Sequence, residues 1–180
     1  VSAAYAMFKF NFGSKISVIP GLRMEHSDNV YNGGVSTVNG RYGVQGFFVD
    51  TTTTQTYTEF LPHLHIKYEP TSWLDIRASY AQTLARPDFL YITPRIQIDN
   101  NQTRINAGNP DLSYAKSQNY DLQFSAYKGG LGLFTFGLFY KDVANIFYPF
   151  STLLADQETA DQFGFPNNVG FEYNSFTNSD

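Results

Sequence analysis

The residues able to do chemistry recur at alternate positions. Glu59, His63, His65 and Lys67 keep spacings of two and four, and Arg23 with Glu25, Asp75 with Arg77 and Asn119 with Asp121 repeat the pattern. On an extended chain, side chains two apart point the same way about 6.5–7 Å apart. Each run is therefore a polar strip along a strand. His63 and His65, with Glu59 nearby, could in principle ligate a metal, since such sites readily use imidazole and carboxylate. The plainer reading is polar residues lining a wet surface. It is preferred here, because the chain has no cysteine and only His26 remains to complete a coordination sphere. No serine sits in a nucleophile elbow, and the carboxylates are scattered. Gly129, Gly130 and Gly132 read as a hairpin turn, not a phosphate loop ahead of a helix. Neither enzymatic catalysis nor a cofactor is expected.

The strips need strands to hold them, and alternation is persistent. Phe60, Pro62, Leu64, Ile66 and Tyr68 oppose Glu59, Leu61, His63, His65 and Lys67. Leu74, Ile76, Ala78 and Tyr80 oppose Asp75, Arg77 and Ser79. Tyr120, Leu122, Phe124 and Ala126 oppose Asn119, Asp121, Gln123 and Ser125. Phe134, Phe136, Leu138 and Tyr140 oppose Leu133, Thr135, Gly137, Phe139 and Lys141. Ala4, Ala6, Phe8, Phe10 and Phe12 face away from Lys9 and Asn11, as Val18, Pro20, Leu22 and Met24 do from Ser17, Arg23 and Glu25. The pattern predicts six strands, near 1–12, 16–27, 57–69, 73–84, 117–128 and 131–142. Pro20 and Pro62 each remove a ladder donor and predict local bulges or bends.

Tight turns at Gly13-Ser14-Lys15, Pro70-Thr71-Ser72 and Gly129-Gly130 alternate with long connections over 28–56, 85–116 and 143–180. Such long irregular loops are uncommon in compact domains unless they are functional. Strict alternation of short turn and long loop is the habit of outer-membrane barrels, short turns lying on the periplasmic side. Composition agrees: 17% of residues are aromatic, only 16% are charged, and the net charge is −4. That acidity argues against nucleic acid as the partner. No apolar run is long enough for a transmembrane helix, so a membrane role requires a closed barrel. The opening VSAAYAMFKF does not read as a signal peptide.

Four or five apolar alternate positions per strand suffice to cross the hydrocarbon core. Phe60, Tyr120 and Tyr140 fall at the expected outer boundary, and Phe12 and Tyr68 at the inner one, where aromatic rings anchor barrels. Six strands cannot close a bacterial barrel, and an open edge in lipid leaves costly unsatisfied backbone groups. The expected fold is all-β: a section of a transmembrane antiparallel up-and-down barrel from a longer chain.

The run FLPHLHIKYEPTSWLDIRASYAQTLARPDF (60–89), with NAGNPDLSYAKSQNYDLQFSAY (106–127) and LFTFGLFYKDVANIFY (133–148), resembles the barrel of TonB-dependent outer-membrane receptors, of the Bacteroidetes and Caulobacter type. Its landmarks occur in order at Leu61-Pro62, Arg86-Pro87, Gly108 to Leu112, Asn119 to Leu122 and Phe139 to Lys141, and 18–27 resembles the preceding strand. The resemblance implies a plug, absent from this chain, inside a barrel of roughly 22 strands. It implies bacterial outer-membrane location and energised uptake of a bulky nutrient, such as a siderophore or glycan. The implied partners are TonB acting through the plug, outer-membrane lipid, the nutrient and a possible surface lipoprotein.

If the short turns mark the periplasmic rim, Lys9, Lys67, Asp75 and Arg77 lie low and are candidates for contact with the plug. Arg23, Glu25, Glu59, His63, Asn119, Asp121 and Lys141 lie higher and, with Arg86, are candidates for the ligand path. Arg86-Pro87-Asp88 and Gly108-Asn109-Pro110-Asp111 could present polar groups to a ligand, but their residue types favour a role in shaping loop bases. Ser151 to Glu158 could form a short helix. The aromatics at 47–48, 91, 147–148, 150, 163, 165, 171, 173 and 176 could anchor a ligand or pack as a lid; both readings remain open. Two other functions fit part of the pattern. A soluble or surface β-sandwich binding carbohydrate would pack its aromatic faces together, and a passive porin would share the barrel without plug or energy coupling.

Overall fold

The computed structural model describes residues 1–38, 44–45, 50–128 and 132–179. In chain order the elements are β1 (Ser2–Met7), β2 (Phe10–Phe12), β3 (Ile16–Val38), β4 (Val44–Gln45), β5 (Asp50–Thr71) and β6 (Leu74–Ala85). There follow α1 (Phe89–Ile92), β7 (Ile96–Asp99), β8 (Arg104–Ala107), β9 (Ala115–Lys128), β10 (Gly132–Ala144), β11 (Phe147–Leu153), α2 (Gln157–Gln162) and β12 (Glu172–Asn178). Two units are distinguished. The first comprises Val1–Asp28, Thr56–Ala85 and Lys116–Ala144, and the second Asn29–Gln55, Arg86–Ala115 and Asn145–Asp180.

The first unit is a sheet in the order β10-β9-β6-β5-β3, with β1 and β2 paired to β3. Its registers put the alternation to use. Leu64, Ile66 and Tyr68 of β5 oppose Tyr80, Ala78 and Ile76 of β6, and Tyr120, Leu122 and Phe124 of β9 oppose Tyr140, Leu138 and Phe136 of β10. Because the side-chain period is two, matched pairs put these apolar residues on one face. The rings of Tyr80 and Tyr120 lie 5.0 Å apart and those of Tyr120 and Tyr140 6.0 Å apart, so an aromatic row crosses three strands. This face is open: Phe134 is 69% exposed, Leu138 55% and Phe136 49%. β10 departs from strict patterning, since Leu133 and Phe139 share the face of Lys141.

Pro20 makes no bulge. Met7 pairs with Gly21 and Phe10 with Val18 in unbroken register. The Phe8 amide donates to the Pro20 carbonyl at 3.1 Å, but proline has no N–H to return the bond. The ladder is interrupted there, and the expected first strand becomes β1 and β2. The turn expected at Pro70-Thr71-Ser72 also shifts, because Thr71 still pairs with Leu74 after an irregularity beyond Tyr68. The Gly13-Ser14-Lys15 turn forms, with Gly13 at φ 62°, a conformation natural to glycine. The expected turn at Gly129-Gly130 lies outside the described residues.

The three long connections are far less irregular than expected. β3 continues from 27 to Val38 and β5 starts at Asp50 rather than 57. The added segments are rich in Thr and Val but lack clean apolar alternation, so propensity without periodicity defines them. The segment 85–116 holds α1 and the β7–β8 hairpin, and 143–180 holds β11, α2 and β12. In the second unit β3 pairs parallel with β7, β7 antiparallel with β8, β8 parallel with β12, and β12 antiparallel with β11. The parallel pairs depart from up-and-down order. The helix expected within 151–158 instead begins at Gln157, where Asp156 accepts from the Thr159 amide at 2.8 Å. Ile105, Leu154 and Ala160 form the unit's core, with Ile96, Ile98, Phe163, Phe165, Phe171 and Tyr173 packed around it.

Candidate functional site

On the first unit's second face, charges from neighbouring strands meet. Asp75, only 3% exposed, accepts from Arg77 Nε and an Arg77 terminal nitrogen at 3.0 Å each. Lys67 Nζ approaches the same carboxylate at 3.4 Å and Glu69 at 2.9 Å. Two cations thus surround one buried acid, the arrangement burial of a carboxylate requires. Beside them is a cavity of about 460 Å³ whose lining includes Lys9, Asn11, Lys67, Arg77, Ser79 and Asp121. Lys9, Lys67 and Arg77 are therefore brought together. Asp121, a ligand-path candidate, also lines this cavity and accepts from Ser79 Oγ at 3.2 Å.

The remaining ligand-path candidates of this unit occur as separate pairs. Arg23 Nε lies 2.5 Å from Glu25. Glu59 is bound by Lys116 Nζ at 2.7 Å, a partner on a distant strand that only cross-strand register could reveal. The Asn119 amide donates to the Ala81 carbonyl at 3.0 Å and to Thr83 Oγ1 at 3.2 Å, tying β9 to β6. Lys141 stands opposite Asn119 on β10. The His63 ring lies over Gly21, where an added Cβ would come within 2.2 Å of it. It neighbours the His65 ring at 5.7 Å. Among the described residues no three His, Asp or Glu side chains gather as a metal site.

In the second unit, the Arg86 guanidinium sits 5.4 Å from the Tyr114 ring centre, a cation–π contact. Asp88 caps α1, accepting from the Leu90 amide at 2.8 Å. Asn109 accepts from the Asp111 amide at 2.9 Å and donates to the Phe176 carbonyl at 2.8 Å. Gly108 meets the Thr93 carbonyl oxygen so closely that an added Cβ would lie 2.0 Å from it. These motifs shape the loop base. Tyr91 stacks on Phe176 at 4.0 Å, and Phe163 packs on Tyr173 at 4.9 Å. Tyr91, Phe147, Phe150, Phe163, Phe165, Tyr173 and Phe176 thus have ring partners among themselves, whereas Tyr148 is exposed; Phe47-Phe48 lies outside the described residues.

Sequence reasoning missed the polar side chains of β7, β8, β11 and β12, which lie in segments expected to be irregular. Arg104 donates to Glu172 at 3.2 and 3.0 Å, and Ser151 donates to the other Glu172 oxygen at 2.9 Å. The Ser151 hydroxyl, then Arg104, holds the Glu172 carboxyl below its ordinary range. The amide and hydroxyl of Thr159 do the same for Asp156.

A family model described as TonB dependent receptor-like, beta-barrel, matches residues 1–179. The chain belongs to this receptor family. No match is found among curated proteins. Solved structures reproduce the TonB-dependent receptor barrel fold at low identity. The hemophore receptor HasR of Serratia marcescens, solved with its hemophore and heme, is 14% identical with a TM-score of 0.59, covering 98% of this chain and 29% of that one. A mutant of the ferric enterobactin receptor PfeA of Pseudomonas aeruginosa is 14% identical at TM-score 0.63, covering 98% and 22%. The siderophore receptor PirA of Acinetobacter baumannii is also 14% identical at 0.56, again covering 98% and 22%. The chain spans less than a third of each of these receptors. As a section of a TonB-dependent receptor barrel, its sheet is open: in the first unit the path ends on β10 at one side and on β1 and β2 at the other.

Proposed function

We propose that this chain forms part of the wall of a TonB-dependent receptor in the bacterial outer membrane, which takes up a bulky nutrient using energy relayed by TonB. One observation carries the reading. The first unit has an exposed apolar face with a row of tyrosines, and an opposite face where Asp75, Arg77 and Lys67 are paired around a cavity. Lipid satisfies the first face and a hydrated lumen the second. A β-sandwich would seal Phe134, Phe136 and Leu138 between sheets, and their exposure speaks against it.

In this reading Lys9, Lys67, Asp75 and Arg77, joined by Asp121, meet the plug. Arg23, Glu25, Glu59, His63, Arg86, Asn119 and Lys141 border the ligand path. The solved relatives named above include a ferric enterobactin receptor and a receptor bound to hemophore and heme, which supports a cargo of comparable bulk. The test uses the complete receptor produced in a Gram-negative host. It should remain with the outer-membrane fraction after a carbonate wash and be retained by the periplasmic domain of TonB. Release by the wash contradicts the barrel. Retention in the membrane without TonB capture leaves a passive porin.

A further inference from the structure

The second unit carries a polar row of which only the Ser151 hydroxyl is already bound, donating to Glu172 of the ion pair above. Gln97 of β7 pairs in register with Asn106 of β8, Asn106 with Asn174 of β12, and Asn174 with Ser151 of β11. Registered residues share a face, so four amide or hydroxyl side chains line up across four strands. With strands ~4.8 Å apart the row is about 14 Å long. The opposite face holds Ile98, Ile105 and Tyr173 against the core, so the row lies on the side of the sheet away from that core. The row borders a cavity of about 450 Å³, within the range of small-molecule sites. Arg95 and Phe176 also line it. No hydrogen bond ties the side-chain amides of Gln97, Asn106 or Asn174 to another described residue.

Charge narrows the ligand class. Arg95 is the one ionisable group lining the cavity among the described residues. Beyond the row, Arg104 and Glu172 neutralise each other. A polyanion needs several cations arranged around it, as phosphate and carboxylate sites have. Amides offer both donors and acceptors, and their regular spacing suits a neutral chain whose hydroxyls repeat along its length. Phe176 supplies an aromatic face for the apolar side of a sugar ring. We propose that the Gln97–Asn106–Asn174–Ser151 row is a binding site for a neutral, extended polyhydroxylated ligand, an oligosaccharide segment. This deepens the uptake reading by assigning it a cargo class, but binding at the row requires neither plug nor TonB.

The experiment is calorimetric titration of the complete, detergent-solubilised receptor with maltohexaose, cellohexaose and xylohexaose. At least one should bind, and Asn106→Ala with Asn174→Ala should weaken that binding about tenfold or more, because the remaining row leaves ligand hydroxyls unpaired. Glu158→Gln, exposed on α2 and outside the cavity lining, should change it less than twofold. Heat-modifiable gel mobility checks that the variants keep the barrel, and Gln97→Ala replaces any variant that loses it. Binding of none of the three sugars overturns the proposal, as does binding that the row variants leave unchanged. Failure of TonB capture with sugar binding intact overturns the uptake reading and leaves this site standing.

Discussion

At the residue scale, paired charges and close backbone approaches are decisive. Glu172 links three strands of the second unit through Arg104 of β8 and Ser151 of β11. Its carboxyl is held below the ordinary value near 4.5. A group whose pKa is lowered on folding stabilises fully above the ordinary value, and that contribution fades as pH falls through the lowered one. Protection of the β12 amides, corrected for intrinsic exchange, should therefore hold above the ordinary value near 4.5 and fall as the pH drops below it through the lowered one. Glu172→Gln should flatten that dependence; an equally steep fall in the variant would contradict the role given to Glu172. Gly108 makes a sterically sharper case. Its missing Cβ leaves room for the Thr93 carbonyl, a backbone atom that cannot swing aside. Gly108→Ala should cost about 1–3 kcal/mol through overpacking, read as accelerated proteolysis within 86–115 of the folded receptor. The atoms nearest to the Cβ of Gly21→Ala belong to the His63 ring, a side chain and not backbone, and that variant should leave the cleavage unchanged.

At the element scale, the interruption between β1 and β2 follows from one missing donor. Pro20→Ala supplies an N–H facing the Phe8 carbonyl, and no register change is needed because both flanks already agree. The substitution should join the two strands, adding about 0.5–1.5 kcal/mol for one ladder bond. Slow exchange at the new residue-20 amide and slowed exchange at its neighbours would show it, and rapid exchange there would refute it. The strands themselves were legible because one face is apolar and the other polar: Thr58 to Tyr68, Leu74 to Thr83 and Asn119 to Ala126 are unmistakable in period two. Where that contrast lapses, legibility lapses with it. Residues 28–38 and 50–56 are strand without an apolar face; β7 and β8 have only four residues each, and β11 and β12, with seven each, do not alternate apolar with polar residues. The Lys116–Glu59 pair and the amide row were hidden for another reason: they join residues far apart in the chain, and register between strands is a tertiary fact. The Arg86-Pro87-Asp88 and Gly108-Asn109-Pro110-Asp111 motifs were readable as structural because cap and turn chemistry is local.

At the scale of the whole molecule, the account rests on which face of the first unit meets lipid. An arginine at Leu122 should cost about 2–4 kcal/mol if that position lies near the bilayer midplane, whereas the lumen side at Gln123 should tolerate one. The chain has no cysteine, so no native thiol within it competes with an introduced spin label. The most direct measurement is paramagnetic-relaxation accessibility in the complete receptor in lipid vesicles, with labels placed successively from Asp121 to Ala126. Labels at Leu122, Phe124 and Ala126 should collide preferentially with lipid-soluble oxygen. Those at Asp121, Gln123 and Ser125 should be poor in oxygen contact and respond more to a water-soluble nickel chelate. Accessibility with the opposite phase, or with no period of two, would contradict a strand that turns its apolar side to the membrane.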